Sequence, residues 1–157
     1  MAKAPIRPDE FYPTPHECYQ NLPIDWAQFT DALEPCKGDG RIVEFLESKG
    51  IPTQWAELNL GVDYLTTDFK TDLILSNPPF TKALQFFDKA IREANTVIML
   101  QRLNYLGSKS RHDWWKNTPP TGIIVLSKNA QVLQAKARIQ LNTAGTFGIR
   151  QIERHAE

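Results

Sequence analysis

The sequence predicts an α/β fold, a mostly parallel sheet with helices on both faces, and three observations carry that reading. Short runs at residues 32–34, 72–75, 96–101 and 122–126, and an alternating stretch at residues 53–58, have the length of strands. Amphipathic stretches at residues 42–48 and 82–93 lie between them with helical spacing. The unusual turn residues, Gly38-Asp39-Gly40 and Asn77-Pro78-Pro79, fall at the ends of runs rather than inside them. Strands alternating with helices imply parallel pairing, and ligands of such sheets bind at the carboxyl ends of the strands.

The elements follow in order. Residues 3–15 hold Pro5, Pro8, Pro13 and Pro15 and read as an extended arm. Residues 17–22 and 26–29 are short helix candidates. Ala32-Leu33-Glu34 is a strand, residues 35–40 a glycine-bearing loop, and residues 42–48 a helix stopped by Gly50. Residues 53–58 form a strand that ends in Glu57, and Asp68-Phe69 sits in a loop after a short turn. Residues 72–75 are a buried strand running into Ser76-Asn77-Pro78-Pro79-Phe80. Leu84, Phe87 and Ile91 share one face of the helix over residues 82–93, and a strand over residues 96–101 follows. Residues 130–141 read as a short helix.

Composition narrows the function classes. The 157 residues carry 18 Lys+Arg against 18 Asp+Glu and 41% hydrophobic residues. A chain of this length buries roughly two thirds of its unfolded surface, so it needs no disulfide or structural metal to fold. Cys18 and Cys36 make no disulfide framework, and with His16, His112 and His155 scattered no metal-ligand spacing exists. A reducing cytoplasm is the expected setting. No run approaches the ~18 apolar residues of a membrane span, and residues 1–9 lack a secretory apolar stretch. Net charge zero argues against binding nucleic acid by bulk charge but leaves room for a local patch. Residues 101–116 supply one: Arg102, Lys109, Arg111 and Lys116 against Asp113, interleaved with Tyr105, Trp114 and Trp115. That pattern suits phosphate contact with stacking, and equally a surface helix with its aromatics in the core.

The strand ends carry the chemistry. Gly38 and Gly40 let a ligand approach the backbone at a helix N-terminus, although a lone Gly-x-Gly also fits an ordinary turn. Glu57, 17 residues beyond Gly40, can accept hydrogen bonds from ribose hydroxyls. Asp68 can accept from an adenine amino group while Phe69 packs the ring. In Asn77-Pro78-Pro79-Phe80 two prolines remove N–H donors and leave carbonyls without local partners. Asn77 adds a side-chain carbonyl and Phe80 a flat face, which together form an acceptor site for the amino group of a heterocycle.

In this order the motifs resemble those of S-adenosylmethionine-dependent DNA adenine-N6 methyltransferases of the small kind often encoded by phages. Phe11-Tyr12-Pro13-Thr14-Pro15 resembles the N-terminal cofactor motif, and Leu33-Glu34-Pro35-Cys36-Lys37-Gly38-Asp39-Gly40 the glycine loop. Glu57 matches the ribose-binding acid, Asp68-Phe69 the adenine-binding pair, and Asn77-Pro78-Pro79-Phe80 the catalytic tetrapeptide. The resemblance implies a Rossmann-like methyltransferase fold and a cofactor, S-adenosyl-L-methionine, held by Tyr12, Thr14, Pro15, Glu34, Pro35, Gly38, Gly40, Glu57, Asp68 and Phe69. It implies double-stranded DNA as partner, with the target base flipped out onto Phe80 and phosphates met by Arg102, Tyr105, Lys109, Arg111 and Lys116. No metal is implied, and the oligomeric state is open, with a monomer favoured.

The resemblance spans about residues 10–128, so residues 1–128 read as the methyltransferase domain and residues 129–157 as an atypical tail. Allowed codons for Asn129 onward, read from the third base of the Asn129 codon, encode arginine-proline-serine-phenylalanine and then glycine-tryptophan-tyrosine-valine-tryptophan. The family continues in that way. A shifted reading frame is therefore expected for the tail, with the C-terminal hairpin altered or missing and activity impaired. Two alternatives stay open: methylation of an RNA base or a protein amide, whose nitrogen needs the same acceptors, and a degenerate cofactor-binding domain without activity.

Overall fold

The computed structural model describes residues 13–126 and 137–142. Its sheet contains β1 (Ala32–Glu34), β2 (Thr53–Trp55), β3 (Thr71–Ser76), β4 (Ala94–Gln101), β5 (Gly122–Val125) and β6 (Ala137–Asn142), in the spatial order β2-β1-β3-β4-β6-β5. The first four are parallel; β6 runs antiparallel to both β4 and β5. Helices α1 (Arg41–Ser48) and α2 (Ala83–Glu93) make the crossovers, and a short α3 (His112–Asn117) precedes β5.

Residues alternate between the two faces with the period of a strand. Leu73, Leu75, Ile98 and Leu100 point to one core, where Tyr19, Trp26, Phe45 and Leu46 cover them. Leu33, Ile74, Val97 and Met99 point to the other, covered by Tyr64, Phe86, Phe87 and Tyr105. The α/β expectation of a mostly parallel sheet with helices on both faces is met.

Several boundaries differ from the sequence reading. The helix candidate over residues 17–22 is a single 3-10 turn, His16–Cys18, and the next is a 3-10 turn, Trp26–Gln28, capped by the Asp25 carboxylate on the Ala27 N–H. The strand ending in Glu57 stops at Trp55. Glu57 instead bridges Val62 and caps a 3-10 turn, Leu58–Leu60. The C-terminal hairpin expected to be altered or missing is formed: Ile123 pairs with Ile139, and Val97 with Leu141. Within the stretch read as a helix over residues 130–141, the described part is strand β6, because Ala-Arg-Ile-Gln-Leu-Asn alternates with period two. Residues 130–136 lie outside the described residues, as does the arm before Pro13.

The strand order positions the site. From β1 the chain crosses to β2 on one side and then to β3 on the other, so β1 and β3 flank a topological switch point, where the crevice of an open α/β sheet forms.

Candidate active site

A cleft of ≈ 470 Å³ opens at that point, walled by residues 34–39, 57–59, 63–65 and 77–82 and closed from the arm by Pro13 and Thr14. Every wall except the arm is a segment that leaves the carboxyl end of a strand or follows it closely.

Glu34 lies at the base, 1% exposed. Its Oε1 accepts from the Ser76 hydroxyl at 2.6 Å and the Cys36 N–H at 2.8 Å, tying the ends of β1 and β3 together. Burial pushes the Glu34 pKa up to about 8, against the lowering effect of those two bonds. Burial also raises the adjacent Cys36 thiol. A buried carboxyl facing a cleft gains most from a cationic neighbour.

The glycine loop turns from β1 into α1 through left-handed backbone at Gly38 (φ 54) and Gly40 (φ 88), conformations that favour glycine. Gly40 is the N-cap of α1 and shapes the loop without lining the cleft. Gly38 N–H donates to Glu57 Oε2 at 2.8 Å, and Asn59 N–H to Glu57 Oε1 at 3.1 Å. The acid expected to meet a ribose is thus held at the cleft wall by two backbone donors, each oxygen keeping a further lone pair.

Asn77 lies opposite. Its Nδ2 donates to Thr14 Oγ1 at 3.1 Å, and its Oδ1 is buried without a hydrogen-bond partner among the described residues. The Pro79 carbonyl accepts from Lys82 N–H at 3.2 Å and starts the turn into α2, and Pro78 lines the cleft beside Asn77. The Phe80 ring lines the cleft, with the Arg102 guanidinium 4.0 Å from its centroid.

Some expected site residues lie elsewhere. Asp68 is fully exposed, 3.5 Å from Lys89 Nζ, and outside the cleft; Phe69 packs on Tyr64, 6.1 Å between ring centroids. The reason is geometric: residues 68–70 immediately precede β3, whose far end forms the cleft. Six residues at ~3.3 Å each put them about 20 Å away. Asp63, Tyr64 and Leu65 line the cleft instead, delivered there by the Glu57–Val62 bridge. An earlier acid-aromatic pair, only six residues past Glu57, was the available signal. Pro15 leads into the first 3-10 turn without lining the cleft, and Tyr12 lies outside the described residues.

The basic aromatic segment is mainly packing. Tyr105 is buried, stacked on Phe87 at 5.7 Å, with Trp115 edge-on at 5.9 Å, so its ring offers no face to a base. Burial raises its pKa to about 12. Arg111 lies 3.9 Å over that ring and donates its Nε to the Tyr105 carbonyl. Lys109 and Lys116 are exposed. None of the four lines the cleft; Arg102 alone of the segment reaches its edge, through Phe80.

No protein-family model and no curated protein matches the sequence. In structure the chain is similar to a Listeria monocytogenes protein assigned as a class I S-adenosylmethionine-dependent methyltransferase, at TM-score 0.60 and 14% identity over 79% of this chain and 56% of that one. It is also similar to a Pyrococcus horikoshii protein assigned as an RNA methyltransferase, at TM-score 0.51 and 14% identity over 71% of this chain and 73% of that one. The chain therefore has the Rossmann-like fold of these methyltransferases while spanning little more than half the length of the first. Among the described residues no cluster of His, Cys, Asp and Glu could hold a metal, and no helix is long and apolar enough to cross a membrane.

Proposed function

We propose that the chain is an S-adenosylmethionine-dependent methyltransferase whose acceptor is the N6 amino group of adenine in DNA. The observation that carries the acceptor assignment is the Asn77 Oδ1, buried and without a hydrogen-bond partner among the described residues. A buried acceptor left unmade costs about 1–3 kcal/mol, so the site favours a ligand with N–H to give.

The cofactor half fits the same reading. Glu57 can receive ribose hydroxyls on its remaining lone pairs, and Asp63, whose Oδ1 already accepts from Leu65 N–H, has Oδ2 for an adenine amino group. Asp63 takes the role that the sequence motif suggested for Asp68. Glu34 answers the positive charge of the methionine end. When bound, the cofactor supplies a methyl group on a positively charged sulfur.

This chain's own residues then act on the acceptor. Asn77 Oδ1 and the Pro78 carbonyl accept the two N6 hydrogens and favour the positive charge that develops on nitrogen, while Thr14 fixes the Asn77 amide so that Oδ1 faces the acceptor. Phe80 offers its ring to a base extruded from the duplex. Arg102, Lys109 and Lys116 meet phosphates. Transfer of tritiated methyl groups to unmethylated duplex DNA, present in the wild type and lost in Asn77→Ala, tests this reading. Equal transfer by both proteins removes Asn77 from it.

A further inference from the structure

Helix α2 grips the cleft wall through an ion pair largely withdrawn from solvent. Glu93 and Lys89, one turn apart, form an ion pair with side chains 10% and 11% exposed. The Glu93 oxygen that takes the lysine also accepts the Phe69 N–H at 3.0 Å. Lys89 reaches the Asp68 carboxylate at 3.5 Å and stands 5.1 Å over the Tyr64 ring. Phe86, two turns before Glu93 on the same helix, also packs on Tyr64, 5.0 Å between ring centroids. The segment from Asp63 to Phe69 is therefore held by one helix at Tyr64 near its start and at Asp68 and Phe69 at its distal end, while its first three residues line the cleft.

A buried ion pair is an expensive way to fasten a loop, since an apolar pair of similar shape often stabilises as well or better. What such a pair adds is direction. The second Glu93 oxygen and the Tyr64 hydroxyl are both buried, and the Glu93 carboxylate adds to burial in raising the tyrosine's pKa.

We infer that Glu93 is a positioning residue for the adenine of the cofactor, setting the place of Asp63 and Tyr64 through the segment it anchors. The inference rests on the cofactor assignment made above. Glu93 is not among the residues that line the cleft.

The experiment compares calorimetric binding of S-adenosylhomocysteine and S-inosylhomocysteine, which differ at the amino group of the base. The wild type prefers the adenosyl compound. In Glu93→Leu that preference falls about tenfold, the worth of one hydrogen bond, through weaker adenosyl binding, with inosyl binding unchanged. Glu93→Gln, which keeps an acceptor for Phe69 N–H, retains most of the preference. Lys89→Met, which keeps the stem and removes the charge, reduces it in a chain whose Glu93 is intact, and carries the test if Glu93→Leu fails to fold. A preference unchanged in Glu93→Leu and Lys89→Met, or both ligands weakened equally, overturns the inference and leaves the cofactor assignment standing. Failure of the wild type to bind either compound overturns both.

Discussion

Asn77 gives its amide N–H to Thr14 and keeps its carbonyl oxygen buried, with no partner among the described residues. The pairing joins the arm to the carboxyl end of β3, 63 residues apart in the chain, and decides which edge of the amide is presented. Thr14→Val keeps the shape and removes the acceptor. It frees the amide to rotate and is expected to lower kcat about tenfold or more, with the Kd for S-adenosylhomocysteine changed less than threefold. Single-turnover kinetics and calorimetry check the two halves. Asn77→Ala removes the acceptor itself and is expected to cost 10²–10³ in kcat, as the loss of one preorganised group does.

Glu34 makes stability depend on pH. Its folded pKa of about 8 lies above the ordinary 4.5, so between these values the folded chain holds a proton that the unfolded chain releases. The stabilisation is complete below about 4.5 and is lost as pH rises through about 8. Glu34→Gln flattens the thermal-melting profile over that window and raises Tm relative to the wild type at pH 8. A cationic ligand reverses the preference by favouring the carboxylate, so S-adenosylmethionine raises the wild-type Tm more at pH 8 than at pH 6. That increment with pH shrinks in the Gln variant.

Gly40 is held at φ +88, and a Cβ there meets Lys37 Cε at 3.5 Å, an ordinary contact. Strain rather than space therefore opposes a side chain. Gly40→Ala is expected to destabilise by about 1–2 kcal/mol, a fall in Tm of roughly 2–8 °C for a domain of this size. Differential scanning calorimetry reads it.

Arg102 lies against the ring offered to the extruded base. If it meets a phosphate when DNA is bound, Arg102→Met reduces the slope of log K against log salt by about 0.9, with cofactor affinity unaltered. Tyr105→Phe serves as the contrast: its ring is enclosed by Phe87 and Trp115, so duplex affinity stays at the wild-type value. Fluorescence anisotropy with a labelled duplex across a salt series measures both.

The parallel strands and the cleft were legible because they rest on local signals. Ala32-Leu33-Glu34 and the run ending at Ser76 are short and apolar, and the turn residues after them leave little choice about where the chain reverses. The place of Asp68 was not legible from motif order, since a residue just before β3 lies at the end of the sheet away from the cleft. Of the two readings open for Tyr105 the structure shows packing, a choice the sequence leaves undecided because interleaved aromatic and basic residues look the same whether the rings face solvent or Phe87. The hairpin was missed although Ala137–Asn142 alternates strictly, since glutamines among alanines also satisfy a helical pattern. Glu93 could not be found from sequence at all: its partner Phe69 lies 24 residues away, in a segment with no regular structure to fix the spacing.

Nucleoside analysis of the methylated product tests the central claim most directly. Duplex DNA and an RNA of matching sequence are each incubated with the protein and S-adenosylmethionine carrying a deuterated methyl group, then digested and separated by mass-resolved chromatography. Labelled N6-methyl-2′-deoxyadenosine is expected from the DNA, and none when Asn77→Ala replaces the wild type. Label found only in the RNA digest, or on a base other than adenine, contradicts it.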